Sequence, residues 1–456
     1  MKKTKQTNYK HRIIARITIE AKSPLAIGTG SNDLLTDAPV ATDVNGLPFI
    51  PGTALAGILR HALGKEGDNK NDKNIFGFQD NDKGHGSEII FTDAVMVGKD
   101  GPIDGLTTKD LAQDKFLVHY LEMPIRQHVK INEFGTAEDG AKFDNQVVYA
   151  GTRFLFEIEL CHDGNPEKQQ QFDEALRQLR STSLRIGGGT RKGYGEIEVV
   201  SCKKRSLDLT KEDDLNAYLA KSSKLTCELP GMVDFCETAE AANWATYELE
   251  LHPDDFFLFG SGMGDDAADM TPVTEEKVTW ESGGPEFKGQ KTLIPASSIK
   301  GALAHRTAFH WNKLNKLFVG NENAKTGDDN PAVKAIFGSS GNGQTSAEIT
   351  RGRILLSDIF AEKKQEKIVN HVAIDRFTGG AIEGALFTEK VTYGKDQTFA
   401  MNILVEEKAF EDDSTIKAAF EQTLKDICTG MLPLGGGVNR GNGIFNGKVK
   451  LNGTEL

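Results

Sequence analysis

Cysteine is scarce in this sequence, and what there is supports little chemistry. The five thiols, Cys161, Cys202, Cys227, Cys236 and Cys428, are odd in number, widely scattered and form no CxxC pair, so neither zinc nor redox chemistry is indicated. A reducing, cytoplasmic compartment is the expectation. No apolar run approaches the length of a membrane-spanning helix, so no membrane partner is expected. The basic opening MKKTKQTNYKHRIIARITIE alternates apolar with polar residues and never forms the continuous run of a signal peptide. Two glycine clusters recur along the chain, but neither carries the GK[ST] ending of a nucleotide-cradling P-loop or opens a helix.

Positive charge is also short. The formal net charge is -12, which at first sight argues against nucleic acid, because phosphate binding is dominated by Lys and Arg. The distribution changes that. From Ser206 to Glu281 there are 18 acidic and 4 basic residues, so the rest of the chain sums to about +2 and leaves room for local basic surfaces.

What is present is present twice. RIGGGTRKGYGEIEV (Arg185–Val199) lines up without a gap with LPLGGGVNRGNGIF (Leu432–Phe445): Gly187 to Gly189, Gly193 and Gly195 match Gly435 to Gly437, Gly441 and Gly443 at a constant offset of 248. Gly188 and Gly436 are the central glycines of the two triplets. Other pairs recur in the same order. FIPGTALAGILRHAL matches LIPASSIKGALAHRTA, NIFGF matches AIFGS, IIFTDAV matches ILLSDIF, QHVKINEF matches NHVAIDRF, and GAKF matches GALF. Six ordered matches across 456 residues indicate a tandem duplication with a domain-sized period.

Each copy reads as an α+β unit. RIIARITIEA and TYELELH alternate as half-buried strands, a helix follows each proline turn, and late amphipathic helices (QFDEALRQLR, IKAAFEQTLKDICTG) precede the glycine loop and a last strand. Strand, helix, strands, helix, strand describes a ferredoxin-like domain. The expected division is residues 1–206 and 246–456 as two such domains, with the acidic stretch 207–245 as linker.

The candidate functional residues lie in the repeated motifs. Glycine loops before a strand serve either tight turns with φ > 0 or close approach of bare backbone to a polyanion, and the accompanying cations Arg191, Lys192 and Arg440 favour the second use. Arg60, Lys300 and Arg306 follow the proline turns on helices whose N-termini can grip phosphate; the alternative is a solvated helix face. Asp37 and Asp269 occupy matched glycine-rich loops. There they are either turn residues or carboxylates that hold a divalent cation or move a proton. His128 and His371 take matched positions and could contact RNA or be satisfied within the fold.

In its aspartate loops, proline-turn helices and C-terminal glycine loops, found twice in family order, the chain resembles the RAMP superfamily (repeat-associated mysterious proteins). Within it, the resemblance is to the backbone subunits of type III CRISPR effector complexes, and in plan to the fused double-backbone subunit of type III-D systems. The resemblance implies RRM-like domains stacked on a CRISPR guide RNA beside other effector subunits. It implies β-hairpin thumbs from Gln127 to Ala150 and from Asn370 to Tyr393, and cleavage of bound target RNA by Asp37 and Asp269 with a divalent cation, Mg2+ being the expected one. Two departures from the family pattern stand out. The histidine often found before the first glycine loop is replaced by Ala26 or Ile27 and by Leu258 or Phe259, and Ala56 stands in the first copy where the second has Lys300.

Overall fold

The computed structural model describes residues 9–31, 36–64, 75–80, 83–108, 110–132, 135–239, 243–318, 320–339 and 349–456. Residues 32–35 of the first aspartate loop and 240–242 of the acidic stretch lie outside that set.

Alternating apolar residues in His11–Ala21 put Ile13, Ile17 and Ile19 on a buried face, and the strand pairs antiparallel on both sides, with Ile197–Asp208 and Arg153–His162. Ile89–Phe91 and Val95–Gly98 continue beyond Arg153–His162. Trp244–Pro253 is likewise central to the second sheet, between Phe445–Leu451 and Phe399–Glu406, with Ile354–Leu356 beyond the latter. The order in each sheet is thus last, first, third, second strand, all antiparallel.

Helices cover one face of each sheet. In the first half α1 (Gly52–Leu63) and α2 (Pro166–Gln178) bury Leu55, Leu59, Phe172 and Leu176 against the strands. The acidic stretch contributes the short α3 (Glu212–Leu219). In the second half α4 (Ala296–Leu314), α5 (Pro331–Phe337) and α6 (Ser414–Cys428) bury Ile299, Leu303, Ile336, Phe420 and Leu424. Both proline-turn helices start where expected, with Pro51 and Pro295 fixing φ at -57° and -70° just before the first turn.

The acidic stretch is packed. Leu207 and Leu229 close over Ile14 on the other face of the first sheet, Tyr218 and Ala217 of α3 pack beside them, and Val233–Asp234 adds an edge pairing to Lys203 and Lys204. Residue 206 falls inside the strand Ile197–Asp208 and residue 246 inside Trp244–Pro253.

A long hairpin of the second half, Thr274–Glu281 with Gly284–Ile294, reaches over the first. Val278 joins the first core, and Phe287 stacks on His119 at 4.0 Å between centroids and meets Tyr149 edge-on at 4.9 Å. The Trp280 indole N–H donates to the Gly151 carbonyl at 2.8 Å, while the Arg153 guanidinium lies 4.1 Å over its ring. Below, buried Arg126 donates to both oxygens of Glu275 at 2.8 and 3.0 Å and to Asp358 at 2.5 Å. No helix among the described residues is long and apolar enough to cross a membrane.

Candidate nucleic-acid interface

Two further hairpins carry the site. Ile125–Ile131 pairs with Ala137–Gln146 in the first half, and Glu366–Ile374 with Ala381–Tyr393 in the second; their ends are largely exposed. Each is tied to the aspartate loop of its own half. The exposed Asp37 accepts the backbone N–H of Asp144 through Oδ2 at 3.1 Å. Asp144 returns the contact by accepting the Asp37 N–H at 2.9 Å and the Thr36 hydroxyl at 2.8 Å. Those two donors, the Asp37 amide first, hold the Asp144 carboxyl below the usual carboxylate range. In the second half Asp269 Oδ2 accepts the Thr388 N–H at 2.7 Å and its hydroxyl at 2.9 Å, and the Asp269 N–H donates to Thr388 Oγ1 at 3.0 Å. The Thr388 amide, then its hydroxyl, hold Asp269 below the usual range as well. In both loops no partner for Oδ1 is found among the described residues.

The residue before Asp144 or Thr388 is a phenylalanine, and the ladder sets it opposite a histidine: His128 faces Phe143, and His371 faces Phe387. The rings stack at 4.9 and 4.8 Å. A cation from the glycine loop covers each phenylalanine, with Lys192 Nζ 4.1 Å from the Phe143 centroid and the Arg440 guanidinium 5.3 Å from that of Phe387. Each half thus builds the same three-layer stack beside its loop aspartate. The polar surroundings differ. His128 Nε2 lies 2.7 Å from Asn145 Oδ1 and 3.0 Å from the Tyr194 hydroxyl, and burial, followed by the charge of Lys192, pulls its imidazole below the ordinary value. In the second half the buried carboxylate of Glu389 replaces Asn145. It accepts from Arg440 at 2.6 Å and Asn442 at 3.2 Å, with His371 Nε2 at 3.0 Å.

The glycine loops dock on their own half. Gly187, Gly189, Gly193 and Gly195 have positive φ, as do Gly435, Gly437, Gly441 and Gly443. A Cβ on Gly187 would lie 2.6 Å from the Ala26 carbonyl oxygen, and one on Gly435 would lie 2.4 Å from that of Leu258. Turn geometry therefore accounts for eight of the ten matched glycines. Gly188 and Gly436 are the exceptions: φ is not positive, and an added Cβ would come no closer than 3.4 and 3.6 Å to any neighbour.

At the helices, the first N–H of α1 (Gly52) donates to Asp93 and that of α4 (Ala296) to Asp358, both at 2.8 Å. A carboxylate thus takes the first N–H of each helix and offsets the positive end of its dipole. Residues 18–198 and 258–446 match the sequence model of the RAMP superfamily. The chain belongs to the RAMP superfamily. Over 209 residues it is 27% identical to the CRISPR system Cms endoribonuclease Csm3 of Methanocaldococcus jannaschii, an alignment covering 41% of this chain and 79% of that protein.

Of the cations expected to meet RNA, this RAMP chain leaves some available and turns others inward. Arg60 is half-buried in the last turn of α1. Lys192 and Lys300 are half-buried, with no carboxylate in ion-pair range among the described residues. Arg191 points into the second half and donates to the Gly352 carbonyl at 2.7 Å; Arg306 grips Asp426 at 2.5 Å, beside His310. Asp144, Thr388, Phe143, Phe387 and Glu389 were not singled out from the sequence. The matched GAKF and GALF, which end on Phe143 and Phe387, were the signal for them.

Among the described residues there is no group of three or more His, Cys, Asp or Glu side chains that could hold a metal ion. Mg2+ bound through one carboxylate and the phosphates of a substrate needs no such group. The unpartnered Oδ1 of Asp37 and of Asp269 fits that mode, so these two residues would hold the ion.

Proposed function

We propose that this RAMP chain is a tandem pair of ferredoxin-like (RRM-like) domains with hairpin thumbs, serving as a guide-RNA-binding backbone subunit of a type III CRISPR effector complex. In plan it resembles the fused double-backbone subunit of type III-D systems, and it works with target RNA and other effector subunits in the cytoplasm. Its activity is cleavage of guide-paired target RNA at two positions, one per domain. One observation carries the reading: a loop aspartate with a free oxygen is fastened to a hairpin bearing a cation–phenylalanine–histidine stack, and this assembly is built twice. Partly exposed aromatic rings beside cations suit single-stranded RNA, whose bases can meet the ring edges while its phosphates pair with the cations. Phe143 is 37% exposed, enough for a base edge to reach it.

In the reaction, a ribose 2′-oxygen of the target attacks the adjacent phosphorus and the P–O5′ bond breaks. The 2′-hydroxyl proton is lost and the 5′-oxygen is protonated, giving a 2′,3′-cyclic phosphate and a 5′-hydroxyl end. A divalent cation, when bound, supplies charge stabilisation at the crowded phosphate. Asp37 and Asp269 orient through Oδ2 on the hairpin backbone and present Oδ1 to the reacting group. Because Oδ2 caps a hairpin backbone amide in both loops, a second reading has support too: a scaffold that holds the guide and does not cut.

Asp37→Asn and Asp269→Asn separate the two readings, since the amide oxygen still accepts the hairpin N–H while the charge is gone. With end-labelled target and the assembled complex, each variant should lose one cut by about 10²- to 10⁴-fold and keep the other. Undiminished cutting at both sites by the double variant would establish the scaffold reading for these residues.

A further inference from the structure

The stack is repeated, but its electrostatics are not, and the difference bears on how RNA is held. In the second half Arg440 is bound to Glu389, a carboxylate only 1% exposed that also meets His371 and Asn442. The cation there is already neutralised. In the first half Asn145 takes the place of Glu389, and Lys192 has no carboxylate in ion-pair range among the described residues.

Lys192 also has company from the other half. Gly193, next to it, lies so close to α4 that an added Cβ would be 2.5 Å from the Ala296 Cβ. Lys300 is one turn along α4 from Ala296, on the same face. Arg191 is directed away, onto the Gly352 carbonyl. Two ammonium groups from different halves therefore converge where the first glycine loop meets α4, without a carboxylate in ion-pair range among the described residues. Burial pulls both below the ordinary lysine range, and for Lys300 the charges of Arg191 and Lys192 add to the effect while Asp328 opposes it. Half-buried cations that repel one another and have no carboxylate within ion-pair distance among the described residues, Asp328 acting on Lys300 only from farther off, are a seat for an anion. The first half has no counterpart to Lys300, because Ala56 stands there.

We propose that the chain carries one open phosphodiester seat, at the seam between its halves, made by Lys192 and Lys300, and that the corresponding place in the second half is closed by the Glu389–Arg440 pair. This rests on the guide-RNA reading and refines it: the two domains grip RNA unequally, and the strong grip belongs to the junction.

The test is binding of a fluorescently labelled single-stranded oligoribonucleotide of mixed sequence to the full chain over a series of KCl concentrations. Lys192→Gln and Lys300→Gln should each weaken binding roughly tenfold. Each should also lower the slope of log K against log salt by about 0.7, as should the double variant, because one phosphate is lost in all three. Without RNA, Lys300→Gln should melt no lower than wild type, since it removes a half-buried unpaired charge. Glu389→Gln, which releases Arg440, should raise the slope by about 0.7. If wild type binds while the lysine variants match it, or Glu389→Gln leaves the slope unchanged, the seam seat is wrong and the guide-RNA reading survives. If wild type binds no RNA, both fall.

Discussion

At the scale of single residues, the ten matched glycines divide into two kinds. Those with positive φ are required by the fold: Gly187 combines a left-handed φ of 86° with a carbonyl oxygen where its Cβ would be. Gly188 has neither constraint and is exposed. Gly187→Ala should therefore destabilise the protein by on the order of 1–3 kcal/mol or more, whereas Gly188→Ala should leave thermal stability within about 0.5 kcal/mol. RNA retention should respond in the opposite sense, with Gly188→Ala weakening it through a methyl group on the surface that meets the backbone. Melting curves and RNA content of the two purified variants would check this, and normal RNA content in Gly188→Ala would return the central glycine to a turn role. The loop aspartates teach a related lesson. Their residue type is that of an ordinary turn, and it is the one oxygen of each without a partner among the described residues that makes them candidates for chemistry.

At the scale of elements, the proline-turn helices show how one carboxylate can do two jobs. Asp93 and Asp358 occupy matched positions and each accepts the first N–H of its helix, which offsets the positive end of the helix dipole. Only Asp358 also receives Arg126. Asp93→Ala should thus cost about 1 kcal/mol, the ordinary value of a lost helix cap. Asp358→Ala should cost clearly more, because it also strips a partner from a buried guanidinium. Urea denaturation of the pair is the comparison to make, and equal losses would mean that the Arg126 contact contributes nothing. The hairpins follow the same logic. His128 and Phe143, like His371 and Phe387, stack because the ladder makes them cross-strand partners, so a sequence match in two separated motifs becomes one surface only when the strands pair.

At the scale of the molecule, the seam is built like a core. Phe287 and Val278 enter the first half's apolar cluster, Trp280 hydrogen-bonds across, and the Arg126–Glu275–Asp358 triad is enclosed beneath them. Breaking a buried ion pair from one side leaves charge without a partner, so Arg126→Ala should destabilise by about 3–5 kcal/mol. Denaturant unfolding followed by tryptophan fluorescence would report it, since Trp280 lies in the seam. A loss below about 1 kcal/mol, the range of surface ion pairs, would show the halves to be only loosely joined. A tight seam also matters for RNA, because Lys192 and Lys300 can share a phosphate only if their halves keep a fixed relation.

The sequence by itself determined the repeated order of motifs, the helices after Pro51 and Pro295 and the alternating central strands. Each of these depends on backbone preferences and periodicities among near neighbours in the chain. It did not reveal that Arg306 is held by Asp426, Arg191 by the Gly352 carbonyl or Arg440 by Glu389, nor that Lys192 and Lys300 remain open. Whether a cation is free to meet RNA depends on which carboxylates and carbonyls the fold carries to it from distant segments, and only the packed structure settles that. The hairpin between Pro272 and Pro295 was not read from the sequence, and its place over the first half follows from where Phe287 and Trp280 find apolar cover, which is a property of the assembled surface.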